Sequence, residues 1–473
     1  MTRRRIAIVG GGIAGLSLGF ALTRSRFNID ADVLVLERSA RPGGNIRTEN
    51  LDGFLCEWGP NGFLDNVPET LALVDALGIR NRLVRSSDAA RRRFIYRRAR
   101  LHEVPAGPIA FLTTGLLSWR GKLRIVREPW AEPAPAGDET LAAFATRRIG
   151  AEAAAVLIDP MVSGIFGGNA RELSLRACFA KMADMEAEHG GLFRALIARM
   201  RQRRGQRLDV APTGTLTSFE GGTQDLIDAL AARLGPALRL NTDVTGLARE
   251  RGRWQLTTTS GPLAADAVVL AGAAGVSANL VKPFSYRIAT ILREIRSAPL
   301  AVVGLAYDEA EVARTRGPLD GFGFLVPRGE GLRLLGALWD SSVYPGRAPA
   351  GRAFIRVIMG GAHDPDVLAL GDEALVDTAR HELRVAMQLR TAPLFTKVFR
   401  HPLGIPQYTV GHLDRLAEID RRLAAWPGLF LAGNAYRGPS INSCIADAER
   451  LASAAAAYLR SLPVDTREGS EVA

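Results

Sequence analysis

Short apolar runs that end in glycine mark the chain near both of its ends. Residues 6–9 are apolar and lead into a glycine-rich turn, and residues 429–431 lead into a second such turn. Residues 33–36 and 267–271 are further apolar runs of strand length. Continuous apolar strands are typical of parallel sheets, which are buried on both faces. The pattern predicts repeated strand, turn and helix units, the arrangement of a Rossmann-like α/β domain.

The pattern changes in the middle of the chain. After residue 286, apolar stretches of strand length alternate with turns, and helical spacing is rare. This succession predicts a mixed, largely antiparallel sheet that can form one wall of a ligand cavity. The predicted strands lie at 300–306, 322–326, 334–339, 354–359 and 396–399.

The segment from 115 to 207 has a basic, helical character. Apolar residues recur at helical spacing between 192 and 200, among arginines at 194, 199, 201, 203, 204 and 207. Residues 116–130 combine Trp119 and Trp130 with four basic residues. Basic amphipathic helices can lie on an anionic membrane surface. The alternative is a helix packed on its own domain with its arginines in water.

Composition limits the function without selecting one. The 473 residues are 47% apolar and 23% charged, which predicts two or three domains with large cores. Cys56, Cys178 and Cys444 stand far apart, which favours neither a disulfide framework nor a zinc site and fits a reducing cytoplasm. The net charge of +11 is compatible with a membrane surface, acidic ligands or nucleic acid. We expect neither a cleaved signal peptide nor a spanning helix.

The first glycine turn predicts a dinucleotide site. Gly10, Gly12 and Gly15 have the GxGxxG spacing that combines a tight turn, close backbone approach and helix packing. Glu37 ends the next predicted strand, where a carboxylate can accept hydrogen bonds from a ribose. The alternative is an ordinary βαβ unit with a glycine turn.

A second glycine pair narrows the prediction to a flavin. Gly43 and Gly44 lie within reach of the first turn, and Arg47 adds a positive charge there. Flavoproteins often have this second element, and nicotinamide enzymes seldom do. Glu57 and Trp58 are then expected near the flavin ring, although both also fit an ordinary core edge.

Together these stretches resemble the oxygen-dependent protoporphyrinogen oxidase family, within the flavin amine oxidase superfamily. The middle motifs select this family, because the superfamily shares only the glycine motifs. These middle motifs are residues 59–61, 165–169, 172–174, 321–327 and 405–408.

The resemblance implies a metal-free flavin chemistry. FAD would oxidise a porphyrinogen in three two-electron steps within haem biosynthesis, and dioxygen would reoxidise the flavin to give hydrogen peroxide. Hydride transfer of this kind needs alignment more than a protein acid or base, so we assign no general base. The six scattered histidines fit that view.

The resemblance also implies site residues. In similar proteins the position of Val244 packs beside the adenine. The expected substrate residues are Asn61, Arg93, Gly168, Phe322, Leu325 and Ile358. The expected cofactor residues are Gly10, Gly11, Gly12, Ile13, Ala14, Gly15, Glu37, Arg38, Gly43, Gly44, Arg47, Glu57, Trp58, Gly59, Pro60, Val244, Gly433, Asn434, Ile441, Asn442 and Ser443.

Arg93 has the most specific predicted role among these substrate residues. Alternation along a strand would place Arg93 and Ile95 on one face. A porphyrinogen carries propionates, and an arginine can bind a carboxylate through two hydrogen bonds. The family position that binds a propionate aligns with Arg93, whereas a run of charges is otherwise typical of a solvated face.

Three positions depart from the family pattern. Ser440 replaces a glycine and Ser443 replaces an acid at the start of the last helix, and Asn61 stands where some relatives carry arginine. Serine is a good helix cap, so the helix itself is expected. The departures bear on flavin affinity and on substrate orientation.

The predicted organisation is interleaved. We expect an FAD-binding domain at 1–88, 210–285 and 416–463, a substrate domain at 89–114 and 286–415, a helical membrane-associating region at 115–209, and a flexible tail at 464–473. The expected partners are a porphyrinogen, dioxygen, an anionic membrane surface, the next enzyme of the haem pathway and a second copy in a homodimer, with no nucleic acid. The expected location is the cytoplasm, peripheral on the inner face of the membrane.

Two rival readings stay open at this point. A coproporphyrinogen III oxidase would share the cofactor and chemistry but would face four carboxylates instead of two. Another flavin amine oxidase or a carotene desaturase would share both terminal motifs but not the middle ones.

Overall fold

The computed structural model describes residues 3–24, 27, 29–202 and 214–463. The predicted tail at 464–473 and the arginines at 203, 204 and 207 lie outside these residues. The strands are β1 (Arg4–Val9), β2 (Ala31–Leu36), β3 (Thr48–Leu51), β4 (Phe54–Glu57), β5 (Phe63–Leu64), β6 (Leu83–Arg85), β7 (Arg93–Arg97), β8 (Arg100–Glu103), β9 (Leu216–Phe219), β10 (Leu238–Arg239), β11 (Val244–Glu250), β12 (Arg253–Thr258), β13 (Gly261–Ala265), β14 (Ala267–Leu270), β15 (Ser297–Asp308), β16 (Gly323–Leu325), β17 (Leu334–Leu338), β18 (Arg352–Gly360), β19 (Phe395–Pro406) and β20 (Leu429–Leu431).

The described chain also contains helices of 3 to 21 residues. They are α1 (Ile13–Thr23), α2 (Pro68–Leu77), α3 (Pro108–Thr113), α4 (Trp119–Val126), α5 (Leu141–Ile149), α6 (Ala151–Ala153), α7 (Asp159–Phe166), α8 (Leu175–His189), α9 (Leu192–Gln202), α10 (Gln224–Leu234), α11 (Ala274–Val281), α12 (Tyr286–Glu294), α13 (Glu309–Arg316), α14 (Asp340–Val343), α15 (Asp372–Met387), α16 (His412–Leu423) and α17 (Ile441–Ser461).

A five-stranded parallel sheet unites distant parts of the chain. Its order is β10-β2-β1-β14-β20, and every neighbouring pair is parallel. Along β1, Ile6 and Ile8 face one core while Ala7 faces another, so the strand is buried on both sides. This double burial explains the continuous apolar runs in the sequence, and it confirms the predicted α/β class.

Helices cover the parallel sheet on one face. α1 and α17 pack against each other, and α1 also contacts α10. Residues Ala14 to Leu22 of α1 are all buried, because the helix lies between the sheet and these neighbours. The carboxyl ends of the strands stay clear of this layer and hold the glycine turns.

A seven-stranded mixed sheet forms the second large layer. Its order is β19-β15-β18-β17-β16-β7-β8, and only the β16–β7 pair is parallel. The predicted largely antiparallel sheet is therefore confirmed. On β15, Val303 and Leu305 face a core that α15 contributes to, whereas Val302 and Ala306 face the hairpin of β3 and β4. One face of this sheet thus packs against the β3–β4 hairpin.

The helical segment between β8 and β9 contains α3 to α9. Its core gathers α5, α7 and α8 around Leu141, Phe144 and Val162. No helix within the described ranges is both long enough and apolar enough to cross a membrane.

Candidate FAD and porphyrinogen site

The turn after β1 has the tight turn at Gly10 and the close helix packing at Gly15 that the sequence predicts. Gly10 has a φ of +117°, and its N–H donates to the Leu36 carbonyl at 2.8 Å. A Cβ at Gly15 would overlap the Gly10 carbonyl oxygen, so helix α1 approaches the turn closely. A Cβ at Gly12, by contrast, would meet no atom within 4 Å. The open space beside Gly12, at the start of α1, suits a phosphate group.

The second glycine pair joins the first turn directly. The Gly43 N–H donates to the Gly11 carbonyl at 2.7 Å, and Gly12 and Gly43 form a bridge. The Glu37 carboxylate accepts hydrogen bonds from the backbone N–H of Gly11 at 2.7 Å and of Ser39 at 2.9 Å. Glu37 therefore fixes the glycine turn, while the neighbouring Arg38 is exposed.

The other end of the chain supplies a third glycine turn. Gly433 follows β20, has a φ of +117°, and leaves its Cβ position free of atoms nearer than 3.6 Å. Asn434 lies next to it, and α17 begins with Ile441, Asn442 and Ser443. The open Gly12, Gly44 and Gly433 positions form the glycine cradle, a space at one edge of the parallel sheet that suits FAD.

Ser440 caps α17 as predicted. Its hydroxyl oxygen accepts a hydrogen bond from the Ser443 N–H at 3.0 Å and lies 2.7 Å from the Ser443 hydroxyl. The side chain is thus turned back onto its own helix. This accounts for the tolerance of serine where relatives of the expected family have glycine.

Val244 begins β11 and is buried against the same sheet. The preceding Thr242 N–H donates to the Glu37 carbonyl at 2.8 Å. The strand end that carries Val244 therefore lies beside Glu37.

The Glu57 carboxylate is hydrogen-bonded to other groups of the protein. It accepts hydrogen bonds from the Thr48 hydroxyl, the Thr223 N–H and the Thr223 hydroxyl at 2.7–2.9 Å, and Arg347 lies 3.5 Å away. Burial raises the pKa of Glu57 above its ordinary value, while Arg347 and these donors oppose the rise. The observed contacts give Glu57 a role in joining the β4 hairpin to the turn before α10.

Two donors beside Glu57 have no protein partner. Trp58 packs its ring on Phe399, with centroids 4.6 Å apart, and the Arg47 guanidinium lies 4.0 Å from the indole centre. Within the described chain, the buried Trp58 Nε1 and Asn61 Nδ2 atoms have no acceptor. Orphaned donors of this kind are expected where a bound group completes the hydrogen bonding.

The seven-stranded sheet brings together the predicted apolar substrate residues. Leu325 pairs with Gly336, and Gly336 pairs with Ile358, so the three lie side by side on neighbouring strands. Gly336 has no side chain, and Leu325 leans over it, with Cδ2 3.0 Å from where a Cβ would be, while Leu325 and Ile358 are both half-buried. The Leu325 side chain also reaches Gly164 of α7. This part of the sheet is therefore an apolar surface that α7 covers at Leu325.

Arg93 lies on the same sheet with an unpaired charge. Its guanidinium lies 5.3 Å from the Phe322 ring centre, and it has no carboxylate partner among the described residues. Ile95 packs toward the helical segment and Tyr96 toward the opposite core, which confirms the predicted alternation. Phe322 itself lies one residue before β16, not within the strand as predicted.

Gly168 lies in a crowded turn after α7. A Cβ at this position would approach Leu173 Cδ1 to 2.5 Å and the Gln407 Oε1 to 2.7 Å. The preceding Gly167 accepts a hydrogen bond from the Ala362 N–H at 2.7 Å. The turn is therefore buried and held from both sides, and a side chain at Gly168 would not fit.

Sequence reasoning missed Arg356, which links the seven-stranded sheet to the end of the β3–β4 hairpin. Its Nη1 donates to the Glu57 carbonyl at 3.2 Å and to the Gly59 carbonyl at 2.7 Å, and its Nε lies 2.9 Å from the Asp340 carboxylate. The available signal was a lone arginine inside the apolar run of β18. Among the described residues, no group of three His, Cys, Asp or Glu side chains is placed to hold a metal ion.

Comparison with known proteins places these features in a family. A family model described as flavin containing amine oxidoreductase matches residues 13–456. The chain is 32% identical to the chloroplastic protoporphyrinogen oxidase of Nicotiana tabacum, covering 96% of this chain and 85% of that protein. It is 29% identical to the coproporphyrinogen III oxidase of Bacillus subtilis, covering 97% and 99%. A crystal structure from Exiguobacterium sp. 255-15, provisionally named protoporphyrinogen oxidase, superimposes with a TM-score of 0.85 at 28% identity, covering 97% and 99%.

Proposed function

Because the chain belongs to the flavin containing amine oxidoreductase family, we propose that it oxidises protoporphyrinogen IX to protoporphyrin IX in haem biosynthesis. It is an FAD-dependent oxidoreductase. One observation carries the choice of substrate: Arg93, Leu325 and Ile358 share one face of the seven-stranded sheet, the face that packs against the β3–β4 hairpin. An unpaired cation beside a flat apolar wall matches a macrocycle that carries carboxylates.

In this mechanism the side chains of the protein bind the porphyrinogen and orient it toward FAD. When bound, FAD supplies the two-electron oxidant for each of the three steps, with dioxygen as the proposed final acceptor. Arg93 would hold a propionate, while Leu325 and Ile358 pack on the ring face. The buried Gly167–Gly168 turn would fix the position of the backbone beside the macrocycle. No side chain is needed as a general base, since alignment is the main requirement of hydride transfer.

The charge of the site favours protoporphyrinogen over coproporphyrinogen. Coproporphyrinogen carries four carboxylates and calls for more free cations. Arg97, Arg328 and Arg356 each lie within 3.1 Å of a carboxylate from Glu152, Asp159 or Asp340. Arg347 is shared with Glu57. Only Arg93 among these described arginines offers a free charge, which suits the substrate with fewer carboxylates.

The decisive experiment is the appearance of porphyrin fluorescence when the purified holoenzyme is mixed with protoporphyrinogen IX in air. Coproporphyrinogen III is offered in a parallel reaction, and both rates are corrected for spontaneous oxidation. A preference for protoporphyrinogen supports the proposal. A preference for coproporphyrinogen supports the second reading, which the full-length similarity to the Bacillus subtilis protein favours. If neither is oxidised while FAD is bound, both readings are wrong.

Replacement of Arg93 by alanine should weaken substrate binding. Loss of a charged hydrogen-bond partner costs about 1.5–3 kcal/mol, so we expect KM to rise about 10- to 100-fold. FAD content should not change. The matched control is Arg92→Ala, because the neighbouring Arg92 is already paired with Glu103 and Asp320. If the two variants have equal KM values, Arg93 does not bind the substrate.

We further propose that α3 and α4 attach the protein to an anionic membrane surface. The exposed residues of this segment are unusually apolar: Trp119 is 71% exposed and Trp130 is 79% exposed. Leu123 and Val126 continue the exposed side of α4, whereas Lys122 is buried with its ammonium on the Leu112 carbonyl. An apolar stripe facing solvent marks an interaction surface.

Polar replacement within this stripe should release the protein from vesicles. Burial of each large apolar side chain contributes about 1.5–3 kcal/mol, so Trp119→Ser with Leu123→Ser should lower binding to anionic vesicles at least about 100-fold. High salt should lower binding of the wild type as well. The control pair is Tyr286→Ser with Leu413→Ser, which removes comparably exposed apolar groups elsewhere. Unchanged flotation of the first pair would contradict this attachment.

A further inference from the structure

Two turns flank the proposed site from opposite parts of the fold. The turn after α7 contains Gly167 and Gly168, and we name it the substrate turn. The turn from Gly433 to Gly438, between β20 and α17, is the flavin turn. The end of β19 runs between them and continues into Gln407 and Tyr408. The function proposed above gives these two residues no role.

Gln407 holds the substrate turn. Its amide Nε2 donates to the Phe166 carbonyl at 2.8 Å and to the Ile405 carbonyl at 3.0 Å. Its Oε1 is the atom that a Cβ at Gly168 would approach to 2.7 Å. The Gln407 N–H also donates to the Arg296 carbonyl at 2.8 Å. A buried side chain with this set of bonds fixes where the Gly168 backbone lies.

Tyr408 holds the flavin turn. Its hydroxyl donates to the Asn434 carbonyl and accepts from the Gly438 N–H at 2.9 Å. The phenol ring stacks on His412 at 4.1 Å with an angle of 15° between the rings. His412 in turn donates from Nε2 to the Tyr436 carbonyl at 3.1 Å, so two of the carbonyls in this turn are held by one stacked pair.

We propose that Gln407 and Tyr408 are positioning residues that set the distance between the substrate turn and the flavin turn. Consecutive Cα atoms are about 3.8 Å apart, so a connection through two adjacent residues is short and stiff. Transfer between two bound partners is sensitive to displacements of about 1 Å, which can lower the rate about 100-fold. The inference rests on the proposed function for the substrate turn, but not for the flavin turn.

The two residues should give different signatures in the holoenzyme. Tyr408→Phe removes both hydroxyl bonds, so we expect the Kd of FAD to rise about 10-fold and the visible flavin spectrum to shift. Gln407→Leu should leave the FAD Kd within about twofold of the wild type. It should instead slow anaerobic bleaching of the flavin by protoporphyrinogen IX about 10- to 100-fold. The control is Tyr307→Phe, a buried tyrosine of β15 away from both turns, which should change neither.

Three outcomes would overturn the inference. In the first, Tyr408→Phe binds FAD with wild-type affinity and an unshifted spectrum. In the second, both variants lose FAD in proportion to a lower Tm, which is the signature of a purely structural role. In the third, Gln407→Leu is bleached at the wild-type rate. If the wild-type flavin is bleached by neither protoporphyrinogen nor coproporphyrinogen, the proposed function and the role of Gln407 fail together, while the FAD affinities still decide the role of Tyr408.

Discussion

Gly12→Ala is expected to fold and to lose FAD. The added methyl group would meet no protein atom within 4 Å, so the polypeptide itself has room for it. The same space lies at the start of α1, where a phosphate of FAD would approach the backbone. Forcing an extra methyl group into a filled site costs up to about 3 kcal/mol, so we expect FAD to bind on the order of 100-fold more weakly.

Gly275→Ala is the matched control for this prediction. A Cβ at Gly275 also meets no atom within 4 Å, but the residue lies inside α11. Alanine in a helix is more stable than glycine by about 0.5–1 kcal/mol, so this variant should keep FAD and melt no lower than the wild type. FAD affinity is measured by titrating the stripped protein, and folding by circular dichroism. Equal FAD affinity in both variants would show that the cofactor does not approach Gly12.

Arg356→Met is expected to be strongly destabilising. Arg356 and Asp340 are 2% and 3% exposed at their side chains, and their closest atoms are 2.9 Å apart. Removing one partner of a buried pair leaves the other charge without compensation, which costs about 3–5 kcal/mol. The variant also frees the Glu57 and Gly59 carbonyls that Arg356 binds. The free energy of unfolding, measured in urea on the holoenzyme, should fall by that amount.

The same strand provides the control for the buried pair. Arg352 of β18 forms a 2.7 Å ion pair with Asp308, with 40% and 37% of the side chains exposed. Arg352→Met should cost less than about 1 kcal/mol, because water screens an exposed pair. The double variant Arg356→Met, Asp340→Asn should recover part of the loss by removing the orphaned charge. A similar cost for Arg352→Met and Arg356→Met would contradict the assigned role of burial.

Much of the cofactor cradle was predictable from local sequence. The roles of Gly10, Gly12 and Gly15 depend on backbone conformation and close approach within one turn, and these are properties of neighbouring residues. The N-terminal cap at Ser440 and the alternation of Arg93 and Ile95 were likewise local, and the structure confirms both. The binding roles of these residues stay predictions.

The sequence could not predict contacts between residues that are far apart in the chain. Glu57 was expected near the flavin, but its contacts are with Thr48 and Thr223, and the second lies 166 residues away along the chain. Phe322 was placed within a strand, although β16 begins one residue later. Arg356 gave only the signal of a polar residue in an apolar stretch, and Tyr408 only its place in the motif at 405–408. Their partners depend on which elements meet, and periodicity does not contain that information.

Local sequence patterns are enough to identify the fold class and the cofactor. Strand-length apolar runs, glycine spacing and a strand-ending acid are set by backbone geometry over a few residues, so they can be read without a structure. Three other features become visible in the folded chain: Leu325, Gly336 and Ile358 lie side by side, Arg93 has no carboxylate partner among the described residues, and Gln407 and Tyr408 reach two different turns. These facts depend on strand register and on contacts between residues far apart in the chain, which form only when the sheets and helices pack together.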